Sequence, residues 1–200
     1  MQNSGQLEDL RVRRTRKLLQ QALIELTIEK GFAGITVQDI AERAMVNRTT
    51  FYRHYLDKYD LLEKYMDELY ELTEQQEAAP SSGRDGEQGA GGAPVGLVKM
   101  LEQVQAHANF YRVMLGETGD PAFVRKVQGY IEARIRALLP LAAMRQRPGG
   151  PPIDLCVSYM AHAGIGAIVW WLDHLLECPP ERLARWLTEL SFADVGVAGE

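Results

Sequence analysis

Arg48, Thr49, Tyr52 and Arg53 recur at a spacing that puts all four side chains on one face of a helix. Their types suit the surface of a nucleic acid. An arginine fork matches a guanine edge, a threonine can meet a base edge, and basic or phenolic groups reach phosphate oxygens. The charge around them is uneven. Between residues 10 and 58 stand ten basic residues (Arg11, Arg13, Arg14, Arg16, Lys17, Lys30, Arg43, Arg48, Arg53, Lys58) against five acids (Glu25, Glu29, Asp39, Glu42, Asp57). That segment carries +5 in a chain of net charge −5, so the remainder carries −10. A basic N-terminal module on an acidic body is the asymmetry expected of a DNA-binding protein. On charge alone, an ordinary solvated surface is the other reading.

Other chemistries find little support. His174 and Cys178 are four apart, but two ligands do not make a zinc site, and Pro179 ends the helix there. The glycines at 89–92 follow no strand, so they lack the context of a phosphate-binding loop. No Ser/His/Asp order is interpretable. No metal, no cofactor and no enzyme activity are expected.

The chain has 200 residues, 46% of them apolar, which allows a compact domain and a smaller second one. The longest uninterrupted apolar run, Ile165 to Leu172, is far short of the roughly 18 residues of a membrane span. The polar stretch from Met1 to Asp9 has no apolar core of a secretory signal, and two cysteines suggest no disulfide framework. A cytoplasmic protein with no membrane partner is expected.

The elements that must position the basic face are helices. A first helix is expected from Leu10 to Lys30, with Leu19, Ala22, Leu23 and Leu26 as its apolar stripe and Gly31 just past its end. Thr36 and Asp39 form a capping box for a second helix, whose apolar face is Val37, Ile40, Ala41 and Ala44. Met45 and Val46 then precede Asn47, a strong N-cap, and Val46 with Phe51 has the spacing of a hydrophobic staple. Phe51 and Tyr55 should face inward. Asp57 caps a fourth helix, with Asp60 at its third position. Two short helices across so short a turn make a helix-turn-helix, although a helical hairpin inside an unrelated core would share the local pattern.

The run from Thr36 to Leu62, TVQDIAERAMVNRTTFYRHYLDKYDLL, resembles the N-terminal DNA-binding domain of the TetR family of regulators. The shared features are Thr36, the short turn, Thr50-Phe51-Tyr52, Tyr55, Lys58, and a first helix ending in Gly31-Phe32. They cover about residues 12 to 65. The resemblance implies an all-α fold in which a helix-turn-helix domain at 10–56 is joined by a helix at 57–77 and a flexible loop at 78–96 to an effector-binding and dimerisation domain at 97–195. It implies a DNA-binding set of Thr36, Asn47, Arg48, Thr49, Thr50, Tyr52, Arg53, His54 and Lys58. In that set Thr36 and the helix end behind it, Tyr52 and Lys58 would meet phosphate, and Arg48, Thr49 and Arg53 would face the groove. His54 is open between a phosphate contact and a surface position. The arm from Arg11 to Lys17 is open between touching DNA and being a solvated charge run. One departure stands out: the family has glycine where this chain has Met45.

The run from Ala108 to Phe123, ANFYRVMLGETGDPAF, resembles the C-terminal domain of a TetR subgroup found in Firmicutes. Helices are expected near 95–106, 108–115, 120–139, 153–177 and 179–192, with Asp120 and Asp154 as caps. Tyr159 to Leu176 is apolar nearly all round, so it needs cover on several sides, which implies a partner subunit. The resemblance places the interface on the last two helices, at Ile165, Ile168, Val169, Leu172, Leu183, Trp186, Leu187 and Leu190, with Gly164, Gly166 and Ala167 permitting close approach. It also implies an unknown small-molecule effector, for which Met100, Phe110, Tyr111, Met114, Tyr159 and His162 are candidate lining residues or plain core. The expected function is a ligand-responsive repressor that binds double-stranded DNA as a homodimer on a palindromic operator. An adaptor whose basic module binds a protein, or a small helical enzyme, are the alternatives.

Overall fold

The computed structural model describes residues 3–78, 93–117, 119–138, 150–174 and 176–194. Their helices are α1 (Asn3–Lys30), α2 (Val37–Arg43), α3 (Arg48–His54), α4 (Lys58–Ala78), α5 (Val95–Ala106), α6 (Ala108–Leu115), α7 (Pro121–Leu138), α8 (Ile153–Asp173) and α9 (Pro180–Asp194), with a 3-10 turn at Phe32–Gly34. The chain divides into two compact units, Met1–Ala79 and Pro80–Glu200.

In the first unit, α1 packs on α2 and α4, and α2 on α3. Leu19 and Leu23 of α1, Ile40 of α2, Phe51 of α3 and Leu61 and Met66 of α4 are fully buried and form its core. The helix starts follow local rules. The Thr36 hydroxyl accepts from the Asp39 amide at 3.1 Å while the Asp39 carboxylate accepts from the Thr36 amide at 2.8 Å, a complete capping box. The Asn47 side chain accepts from the Thr49 amide, and the Asp57 carboxylate from the amides of Tyr59 and Asp60.

In the second unit, α7 and α6 pack on α8, and α9 on α5. Phe110 and Tyr111 of α6 and Phe123 of α7 meet ring to ring at 5.7–5.9 Å, beside the buried Met114. Arg112 of α6 donates from Nε and Nη2 to the Leu172 carbonyl, closing the C-terminal end of α8.

Several boundaries differ from expectation. α1 begins well before Leu10, so Arg11 to Lys17 lie on a continuous helix and form no extended arm. α8 stops at Asp173, not 177, and Leu176 turns back with φ 60°. The expected loop at 78–96 is shortened at both ends, because Ala78 belongs to α4 and Val95 opens α5, and the rest of it, 79–92, lies outside the described residues. Asp154 does not cap α8, since Pro152 holds that position and Asp154 pairs with Arg136 instead. α8 is long and apolar enough, by length and composition, to cross a membrane. The uninterrupted run of eight residues concealed this because Ser158 and His162 divide the helix.

Candidate nucleic-acid interface

The turn between α2 and α3 is a Schellman closure. The Met45 amide donates to the Glu42 carbonyl at 3.0 Å and the Val46 amide to the Ala41 carbonyl at 2.9 Å. This closure requires a left-handed residue, and Met45 supplies it with φ 53°. The side chain where the family has glycine therefore sits in the left-handed region, 88% exposed.

From that turn α3 leaves with Phe51 and Tyr55 buried and Arg48, Thr49, Tyr52 and Arg53 exposed. Arg48 and Tyr52 form a unit: Nη2 donates to the phenol oxygen at 3.2 Å, and the guanidinium lies 5.5 Å from the ring centre. Stacking narrows the arginine's conformational freedom before any partner arrives. Asn47 is spent as the cap of α3, and Thr50 is half-buried. The Thr36 hydroxyl, besides its capping bond, donates to Asp39 at 2.6 Å.

The structure places Lys58 differently from the expected phosphate contact. Its ammonium turns back under the first unit and donates to the carbonyls of Phe32 at 2.9 Å, Ala33 at 3.2 Å and Ile35 at 2.9 Å. It lies 4.8 Å from the Phe32 ring centre. Two further cations are also held internally. Arg43 of α2 forks onto Glu29 of α1, both contacts at 2.7 Å, and also reaches Glu25. Lys30 bonds Asp39 at 2.8 Å. These pairings raise the Arg43 pKa and lower those of Glu29 and Asp39, hydrogen bonding to the partner being the largest cause in each case. Sequence inspection missed them, because pairs nine or fourteen residues apart become visible only once α1 and α2 pack.

His54 is half-buried and lines a groove of about 250 Å³ with Arg16, Tyr55, Lys64, Asp67, Glu68 and Glu71. Burial first, then Arg16 and Arg53, lower its pKa. A neutral imidazole facing α1 and α4 makes a poor phosphate contact. Arg11, Arg13, Arg14, Arg16 and Lys17 are exposed along α1. A helix is wider than the roughly 6 Å minor groove, so only the flanking backbone is open to these residues.

In the second unit the expected sets divide by burial. Phe110, Tyr111 and Met114 are buried and Met100 half-buried, whereas Tyr159 is 59% exposed and His162 is exposed, so the last two do not line the interior. Of the expected interface residues, Ile168, Leu172 and Leu183 are buried within their own subunit, Ile165, Val169, Trp186 and Leu187 are half-buried, and Leu190 is exposed. The apolar stripe that α8 leaves open is Leu155, Tyr159, Ala163, Gly166 and Trp170.

A helix-turn-helix with a basic outer face, joined to a helical second domain, defines the class of the protein. Residues 19–65 match the family described as bacterial regulatory proteins of the tetR family. Residues 94–192 match one described as a transcriptional regulator C-terminal region. The chain belongs to the TetR family. Over 56 residues it is 46% identical to an uncharacterized HTH-type transcriptional regulator, YxbF of Bacillus subtilis, a match that spans 28% of this chain and 15% of that relative. A solved TetR transcriptional regulator from Streptococcus agalactiae aligns over 94% of this chain and 99% of its own, with a TM-score of 0.66 and 23% identity. Thermus thermophilus FadR, solved in complex with lauroyl-CoA, aligns over 92% of this chain and 96% of its own, with a TM-score of 0.56 and 17% identity.

Proposed function

We propose that this protein is a sequence-specific DNA-binding transcriptional regulator, a repressor that acts in the cytoplasm as a homodimer on a palindromic operator and is released by a small apolar or amphipathic effector. The observation that carries this reading is the outer face of α3. There Arg48 is stacked on Tyr52 beside Thr49 and Arg53, and the whole face is presented by a capped and closed turn. Two copies of α3 would each read one half-site, with centres about one helical turn apart or a multiple of it.

The open stripe on α8, continued by the 67%-exposed Leu190 of α9, supports a dimer face. A Cβ added at Gly166 would meet nothing within 4 Å among the described residues, so a partner helix can approach closely there. The aromatic cluster of Phe110, Tyr111 and Phe123, with Met114, supports an effector of apolar character.

The test is a binding series on operator and on random DNA at several salt concentrations, with the operator selected from a random library. Arg48→Ala and Arg53→Ala should each lose about 1–3 kcal/mol on the operator and much less on random DNA. Equal losses on both would make these arginines backbone contacts. If the wild-type protein bound neither DNA at low salt, the α3 face would be a protein-docking surface instead.

A further inference from the structure

The chain enters α2 through residues 31–35 and leaves α3 through residues 55–58. One side chain joins these two segments. Lys58, at the start of α4, donates to the carbonyls of Phe32, Ala33 and Ile35, the last of which immediately precedes the cap of α2. The contact is reinforced from both sides. The ammonium lies 4.8 Å from the Phe32 ring centre, and the Phe32 and Tyr59 rings meet edge to face at 5.3 Å. The Phe32 carbonyl also accepts from the Ile35 amide at 3.3 Å, so the 3-10 turn and the ammonium share one acceptor cluster.

We infer that Lys58 is a positioning residue for sequence reading: it ties the entrance of the helix-turn-helix to its exit and so fixes the angle at which α3 presents Arg48, Thr49 and Arg53. It does so without itself touching DNA. The three carbonyls leave their segment with concentrated negative potential, and a neutral side chain at position 58 would leave that potential unanswered. The entrance would then be free to move relative to α4, carrying α2 and the closed turn with it. Base contacts depend on angle more steeply than contacts to a continuous phosphate backbone, so the loss should fall on sequence discrimination. This inference rests on the proposed DNA-binding function.

The experiment uses the full chain with Lys58→Met and Lys58→Gln, the latter keeping one donor toward the carbonyls in case the methionine variant does not fold. Each is titrated with operator and with random duplex DNA across a salt series, at a temperature where its helical circular dichroism equals wild type. Operator affinity should fall on the order of tenfold, the scale of one lost base contact, and random-DNA affinity should fall far less. The slope of log affinity against log salt should stay at the wild-type value. In an Arg48→Ala background, the Lys58→Met loss should shrink, because both changes remove the same reading. A slope reduced by about one unit would show that Lys58 neutralises a phosphate and would overturn the inference. So would equal losses on both DNAs, strict additivity with Arg48→Ala, or no loss on the operator. Failure of the underlying reading is distinct, since the wild-type chain itself would then bind neither DNA.

Discussion

Replacing Met45 by glycine should stabilise the protein. Met45 holds φ 53° because the Schellman closure of α2 demands a left-handed residue there. A side chain in that region costs about 1–2 kcal/mol, through the clash of Cβ with the following carbonyl. Glycine relieves the clash but leaves the unfolded chain about 0.4–1 kcal/mol freer. Met45 is 88% exposed, so its removal forfeits little burial. The difference is a gain of about 0.5–1 kcal/mol, or about 1–4 °C in Tm for a cooperative unit of this size. Denaturant unfolding followed by helical circular dichroism measures it, with Met45→Ala as the control that keeps Cβ. The alanine variant should show no gain. If alanine stabilised as much as glycine, or glycine destabilised, strain at this residue would not be the cause.

Gly166→Leu and Trp170→Asp should convert a dimer to a 22.4 kDa particle in light scattering, whereas Leu183→Ala should lower stability at constant mass, because Leu183 is buried within its own subunit. A wild-type chain that scatters as a monomer at micromolar concentration would rule out the dimer. Asp39 has its folded pKa lowered, chiefly by the hydrogen bond from Lys30, so its contribution is fully present above the ordinary carboxylate value near 4 and drains away as the pH falls below it. Asp39→Asn should therefore lose less stability than wild type on acidification, and identical acid profiles would contradict the pairing. If an effector releases the operator, then operator DNA must weaken binding of that effector by the same factor. Titrations with and without operator should agree on the factor, and equal effector affinities would exclude allosteric release.

The features legible in the sequence were those that depend on neighbours a few residues away. Thr36 with Asp39, Asn47 with Thr49, and Asp57 with Tyr59 and Asp60 cap their helices as their spacing requires, since caps involve only backbone within one turn. The inward turn of Phe51 and Tyr55 and the outward turn of Arg48, Thr49, Tyr52 and Arg53 follow from helical periodicity alone. So does the departure at Met45, though its left-handed φ was settled only by the closure of α2.

Tertiary structure decided what periodicity leaves open. α8 is apolar on every side, so its pattern cannot say which side the subunit covers. Packing on α6, α7 and α9 buries Ile168 and Leu172 and leaves Tyr159 and Trp170 open, reversing the expected assignment. A lysine at the start of α4 reads the same whether it faces solvent or folds inward. Only the path of residues 31–35, brought beneath α4 by the packing of α1, supplied the three carbonyls that hold Lys58. The pairing of Arg43 with Glu29 arose in the same way. Charge counts along a chain record how many cations a segment carries, and long-range packing determines which of them remain available to a partner.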